Sequence, residues 1–181
     1  ATMRNGEVSY WWQALGGFPP RRASLPGPLE ADVCIVGGGY TGLWTAYYLA
    51  ERRPDARIVV LEAAFAGYGA SGRNGGWCSA LFPASLATLA GLSDREGALA
   101  QHRAMRDTVD EVARVAAAEG IDAHLAKGGT ITLARSRAQL LRARREVEDA
   151  RAWGRDEADE RLLDAAEATS VLRGSRTRGA T

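Results

Sequence analysis

The sequence predicts an α/β fold: a Rossmann-like βαβ unit followed by the start of an α+β domain, with the βαβ part incomplete. Three observations carry this expectation. Val33-Cys34-Ile35-Val36 and Ile58-Val59-Val60-Leu61 are short continuous apolar runs, as expected of parallel strands covered on both faces. Between them Leu43, Ala46, Tyr47, Leu49 and Ala50 recur at helical spacing until Pro54. Gly37-Gly38-Gly39 forces a turn between the first strand and the helix, so β, α and β follow one another within about thirty residues.

The elements follow in chain order. Residues 1 to 30 hold Tyr10-Trp11-Trp12 and then Gly16-Gly17, Pro19-Pro20 and Pro26-Gly27-Pro28, too interrupted for a helix or a long strand. They predict an irregular aromatic arm packed on the domain. Residues 31 to 120 comprise the βαβ unit, a long Gly-rich connection over 63 to 82, and one long amphipathic helix. Ser93-Asp94-Arg95-Glu96 reads as its capping box, Met105, Val109, Val112 and Ala116 as its apolar stripe, and Gly120 as its left-handed stop. Residues 121 to 172 read as the start of a substrate domain. Thr130-Ile131-Thr132-Leu133 is a half-buried strand there, Ser136 and Gln139 open a helix to about Trp153, and a short helix starts near Asp164. Residues 173 to 181 lack apolar periodicity and predict a disordered tail. Met3 follows Ala1-Thr2, and both ends resemble those of a fragment.

Composition excludes several classes of function. The 23 basic and 22 acidic residues nearly cancel to +1, leaving no net field for nucleic acid or an anionic membrane. Arg142, Arg144 and Arg145 read as the solvated face of a helix. No segment approaches a membrane span, the first thirty residues lack the apolar stretch of a signal peptide, and none follows Arg21-Arg22. Only Cys34 and Cys78 could pair, and Cys34 falls in a strand expected to be buried, so a reducing, cytoplasmic location is expected. His102 and His124 lack His, Cys or acidic neighbours at metal spacing and read as surface or packing residues; no metal is expected.

The chemistry lies in Gly37-x-Gly39-x-x-Gly42. Directly after a strand and at the mouth of a helix, Gly37 permits the tight turn, Gly39 leaves the backbone open to a pyrophosphate, and Gly42 lets the helix pack closely on the strand. The backbone N–H groups of residues 39 to 42 and the helix dipole then face the phosphates. Glu62 ends the second strand, where a carboxylate accepts from ribose hydroxyls and repels a 2′-phosphate. NAD and FAD share the adenosine diphosphate half. The second Gly-rich stretch, Gly67-Tyr68-Gly69-Ala70-Ser71-Gly72-Arg73-Asn74-Gly75-Gly76, supplies a further cradle close behind Glu62 and favours FAD.

The run Asp32 to Leu43, Glu62, and Ala70-Ser71-Gly72-Arg73-Asn74-Gly75-Gly76 resemble the N-terminal region of FAD-dependent oxidoreductases of the D-amino-acid oxidase class. Within that class they are most similar to the gamma-glutamylputrescine oxidoreductase branch, which tends to carry an aromatic arm like Tyr10-Trp11-Trp12. Lys127-Gly128-Gly129-Thr130 resembles the start of the family's substrate domain. The resemblance implies that Gly37, Gly39, Tyr40, Thr41 and Gly42 hold the pyrophosphate and Glu62 the adenosine ribose. Ser71, Arg73, Asn74, Gly75 and Gly76 would lie along the pyrophosphate, ribityl chain and flavin edge. It further implies a small amine or amino acid as substrate, oxidised at its CH–NH group to an imine that water hydrolyses, with reoxidation by oxygen or another acceptor. The catalytic residues are expected beyond residue 181, leaving this part of the enzyme inactive alone. Two other readings stand beside it: an NAD-linked dehydrogenase or flavin monooxygenase on the same βαβ start, and a non-catalytic piece that binds no cofactor.

Overall fold

The computed structural model describes residues 9–181, which divide into two compact units at Trp77 and Cys78. Ala1-Thr2-Met3 lies outside the described residues.

In the first unit, β1 (Val33–Val36) and β2 (Ile58–Leu61) pair in parallel, Val33 opposite Ile58 and Val36 opposite Leu61. The helix α2 (Tyr40–Arg52) connects them and packs on both. Asp32 pins the start of the ladder. Its carboxylate accepts from the Arg57 backbone N–H at 2.8 Å and from the guanidinium at 3.4 Å, and these bonds hold it below the usual carboxylate range. The pair is exposed and contributes little to stability.

Coverage on both faces of the strands is not what forms. β1 alternates, with Val33 and Ile35 half-buried toward α2 while Cys34 and Val36 are exposed, Val36 to 85%. The helix α2 packs on this two-stranded sheet, while on the face of Cys34 the side chains of Val36 and Leu61 are exposed and only Val59 is half-buried. Cys34 is therefore a free, exposed thiol rather than a buried one, as is Cys78. Among the described residues of this unit, Gly38 alone is buried, and no apolar side chain is.

The arm also differs from its expected form. Ser9 accepts from the Trp12 N–H and caps a short helix, α1 (Tyr10–Ala14), so one helical turn precedes the breakers. The arm does pack on its unit. Trp12, Phe18, Phe65 and Tyr68 form an aromatic cluster, with Trp12 edge-on to Phe65 at 5.0 Å and Phe65 edge-on to Tyr68 at 5.3 Å.

The second unit opens with α3 (Leu86–Leu92) packed on α4 (Arg95–Ala118), the long helix the sequence predicts. That helix thus belongs with the residues after Cys78 rather than with the βαβ unit. Its cap is Asp94, which accepts from the Gly97 N–H at 2.7 Å; Ser93, expected in that role, ends α3 and donates to the Leu89 carbonyl. Gly120 takes the left-handed conformation at φ +65 after the last turn. On α5 (Arg137–Ala152), Ser136 caps the first turn, Ala143 and Ala150 are buried seven residues apart, and Arg142, Arg144 and Arg145 are exposed. α6 (Ala165–Val171) starts on a full capping box. Asp164 accepts from the Ala166 and Glu167 N–H groups while Glu167 accepts from the Asp164 N–H. Asp164→Ala strands both donors and is expected to cost about 1 kcal/mol in denaturant unfolding, more than an exposed Asp→Ala mid-helix.

The expected disordered tail is instead structured. β3 is Leu133–Ala134, shorter and later than the predicted strand, and it pairs antiparallel with β4 (Gly179–Ala180). Thr132 and Thr181 extend the pairing by exchanging N–H···O=C bonds of 2.7 and 3.2 Å. Ala180 is fully buried with Ala168 and Leu163, against Ile131 and Leu133. The tail carries no apolar periodicity because only one residue of it, Ala180, enters this cluster.

Candidate functional site

The turn between β1 and α2 is shaped by its glycines. Gly37 sits at φ +106, and its N–H donates to the Leu61 carbonyl at 2.8 Å, carrying the ladder one residue past the strand. Gly42, in the first turn of α2, lies against that residue. A Cβ on Gly42 would stand 2.0 Å from the Gly37 carbonyl oxygen and 3.2 Å from Ile35 Cγ2. Close packing of helix on strand therefore requires glycine here. Gly39 is the N-cap and offers no side chain to the first turn, where Tyr40, Thr41 and Gly42 present the N–H groups that an α-helix leaves without intrahelical partners. Thr41 is exposed at the second position, its carbonyl accepting from the Thr45 hydroxyl at 2.7 Å.

Glu62, one residue past β2, turns its carboxylate onto this turn. One oxygen accepts from the Gly38 N–H at 2.8 Å and the other from the Ala64 N–H at 3.0 Å. The Ala64 bond first, then the Gly38 bond, hold the carboxyl below its ordinary range, against a smaller opposing effect of desolvation. A group lowered on folding contributes above its unfolded value, and the contribution is lost as pH falls through the folded one. The Gly38 tie is accordingly expected to persist at neutral pH and to loosen only below the ordinary glutamate value of about 4.3. The Gly38 amide shift followed in an NMR titration checks this. Glu62 remains exposed, and each of its oxygens retains acceptor capacity beyond the bond it already makes.

The Gly67 to Gly76 stretch folds back onto the same place. Gly67 donates to the Gly38 carbonyl at 2.8 Å, and Ser71, in the 3-10 turn Ala70–Gly72, accepts from the Tyr40 N–H at 2.9 Å. Gly72 repeats the packing of Gly42: its Cβ would lie 2.1 Å from the Gly67 carbonyl oxygen. Asn74 holds the loop's shape, donating to the Ser71 carbonyl at 2.8 Å and the Tyr40 hydroxyl at 3.3 Å while accepting from the Gly76 N–H at 2.8 Å. Gly75 has open space where a Cβ would be, and Gly76, at φ +76, lies against Trp11.

Of the predicted residues, Gly37, Gly39, Tyr40, Thr41, Gly42, Glu62 and Ser71 come together around the mouth of α2. Asn74 and Gly76 shape the loop that delivers Ser71. Arg73 turns elsewhere, donating to the Tyr68 carbonyl at 2.8 Å with its guanidinium 4.8 Å from that ring. Sequence reasoning missed Gly67 and Gly72 as a packing pair and Ser9 and Trp11 as anchors of the loop. The signal for the first was available: the five-residue interval from Gly37 to Gly42 recurs from Gly67 to Gly72. Among the described residues no group of His, Cys, Asp and Glu is placed to hold a metal. No helix among them is long and apolar enough to cross a membrane. His102 is half-buried on α4, its imidazole pushed toward neutrality by burial first and by Arg155 and Arg106.

A parallel β–α–β unit with this glycine turn at the mouth of its helix belongs to the Rossmann-like class. The profile of the FAD dependent oxidoreductase family matches residues 32–181, and the chain belongs to that family of flavoenzymes. Over 74 residues it is 47% identical to the gamma-glutamylputrescine oxidoreductase of Escherichia coli, which is 41% of this chain and 17% of that protein. It is 46% identical to a probable oxidoreductase, OrdL, of Rhizobium meliloti over 66 residues, 36% of this chain and 15% of that one. A thiamine thiazole synthase of Schizosaccharomyces pombe is 44% identical over 52 residues, 29% of this chain and 16% of the synthase. The matched stretch is thus less than a fifth of each relative's length. No solved structure matches.

Proposed function

We propose that this chain supplies the adenosine-and-pyrophosphate part of the FAD site in an oxidoreductase acting on the CH–NH group of an amine or amino acid. The observation that supports it best is the convergence of two glycine loops and one carboxylate on the first turn of α2. The residues present suit the cofactor. The N–H groups at the mouth of α2 and its dipole favour an anionic pyrophosphate, and Gly39 leaves the approach clear. Glu62 lies beside the turn with acceptor capacity for ribose hydroxyls. Ser71, whose hydroxyl reaches the Tyr40 N–H, offers a phosphate a donor as well. When bound, FAD supplies the capacity to accept the electrons of a carbon–nitrogen oxidation. What these residues do is hold and orient its dinucleotide end.

The amine substrate rests on the gamma-glutamylputrescine oxidoreductase relative rather than on any residue of this site. The relatives include a synthase of a different named activity, so the shared stretch carries cofactor chemistry and not substrate identity. The activity belongs to the longer enzyme of which we propose this chain is part.

Glu62→Gln tests the ribose assignment. The Gly38 and Ala64 N–H groups need two acceptors, and an amide offers one oxygen and one NH₂, so the variant loses an internal tie and a charge-assisted bond together. FAD affinity in the longer enzyme, followed by flavin fluorescence, is expected to fall roughly tenfold. Unchanged affinity would remove Glu62 from the site.

A further inference from the structure

We infer that the N-terminal aromatic arm is a positioning element of the dinucleotide site: Trp11 and Trp12 fix the Gly67 to Gly76 loop so that Ser71 stays on the mouth of α2. The inference rests on the site reading above and adds to it residues that touch neither the glycine turn nor Glu62.

The arm holds the loop at three points. The Ser9 hydroxyl donates to the Gly72 carbonyl at 2.9 Å. The Trp11 indole N–H donates to the Asn74 carbonyl at 2.6 Å, and its ring lies 3.2 Å from where a Gly76 Cβ would be. The Trp12 ring lies over both Gly67 and Gly72, at 3.5 and 2.9 Å from their would-be Cβ positions, and is itself fixed edge-on by Phe65 at 5.0 Å. These are backbone carbonyls and glycines of the loop, so the arm constrains the path of its main chain rather than the rotamer of one side chain. Ser71 sits between the two clamped stretches, and its hydroxyl accepts from the Tyr40 N–H at 2.9 Å.

A loop rich in glycine loses much conformational entropy when it is ordered, and a ligand that must order it binds more weakly by that amount. Aromatic side chains supply large contact area at low entropy cost of their own. The arm therefore orders the second cradle before the cofactor arrives. Trp11 and Trp12 divide the work differently. Trp11 is 42% exposed and acts through one directed N–H bond, whereas Trp12 acts through ring area, its indole N–H having no partner.

The test uses the longer enzyme with Trp11→Phe, Trp12→Phe and Trp12→Ala, reading FAD dissociation by flavin fluorescence and, in the apoprotein, hydrogen exchange at the Tyr40 amide. Trp11→Phe removes one hydrogen bond and little area, and FAD dissociation is expected to quicken roughly fivefold. Trp12→Ala is expected to quicken it tenfold or more, with Trp12→Phe restoring most of the loss. In both weakened variants the Tyr40 amide exchanges faster while the amides of the β1–β2 ladder keep their protection. Wild-type rates of FAD release and Tyr40 exchange in Trp11→Phe and Trp12→Ala would overturn the inference. Equal acceleration across β1, α2 and β2 would also overturn it, by making the arm a general stabiliser. A wild-type enzyme that holds no FAD would sink the site reading itself, and this inference with it.

Discussion

Gly42→Ala is expected to abolish FAD retention and to destabilise the βαβ unit as well. The new methyl would stand 2.0 Å from the Gly37 carbonyl oxygen, a backbone atom that cannot step aside while the Gly37 N–H is tied to Leu61 at 2.8 Å. Relief requires α2 to lift from β1, which breaks the contact with Ile35 and moves the N–H groups at the helix mouth. Alanine has the higher helix propensity, by about 1 kcal/mol. Overpacking against a fixed partner costs about 1–3 kcal/mol and here meets the Gly37 main chain with Ile35 Cγ2 close beside it, so the clash wins. Gly39→Ala makes an informative contrast. Its Cβ meets only the Ser71 side chain, Oγ at 3.0 Å and Cβ at 3.9 Å, and that hydroxyl can rotate. Gly39→Ala is expected to melt like the wild type and still lose FAD, whereas Gly42→Ala loses both. Thermal melting of the apoprotein together with FAD content separates the two; a Gly42→Ala protein that melts normally and is fully loaded would contradict the packing described.

The second large effect concerns residues 1 to 181 as an isolated polypeptide. No apolar side chain of the first unit is buried among the described residues, Val36 is 85% exposed, and Leu61 and Cys34 are exposed beside it. A two-stranded parallel sheet with one bare face and two open edges is marginal in water. The second unit buries mainly alanines, together with Val115 and Leu163. The isolated chain is accordingly expected to unfold at low denaturant without a sharp transition, to bind FAD weakly at most, and to release no peroxide in the presence of amines. A sharp cooperative transition with amine-dependent turnover at one flavin per chain would refute this.

The parts of the fold legible in the sequence are those dictated by local chemistry. The strand, glycine turn and helix at 33 to 52 follow from apolar continuity and from Gly37, and the caps at Ser136 and Asp164 follow from the geometry of the first helical turn. The parts that were not legible depend on partners. Burial of Cys34 is inferred from the run around it, yet burial depends on what packs over that face, and among the described residues Cys34 is exposed. Ser93 and Asp94 are both competent caps, and the choice of Asp94 is set by where α3 ends. The pairing of Ala180 with Leu133 is a contact of two residues across forty-seven positions, too small to leave a period in the sequence. At the site, residue identity pointed to the glycine turn and Glu62, while the route by which the arm reaches Asn74 and Gly72 runs through main-chain carbonyls, which carry no sequence signal.

The most direct measurement of the central claim is the identity of the nucleotide released when the longer enzyme, purified without added cofactor, is denatured and its supernatant chromatographed. The site described here predicts FAD at close to one per chain in the wild type and little or none in Gly39→Ala at unchanged apoprotein stability. Release of NAD, or FAD retained at full occupancy by Gly39→Ala, would contradict the assignment of the glycine turn to the FAD pyrophosphate.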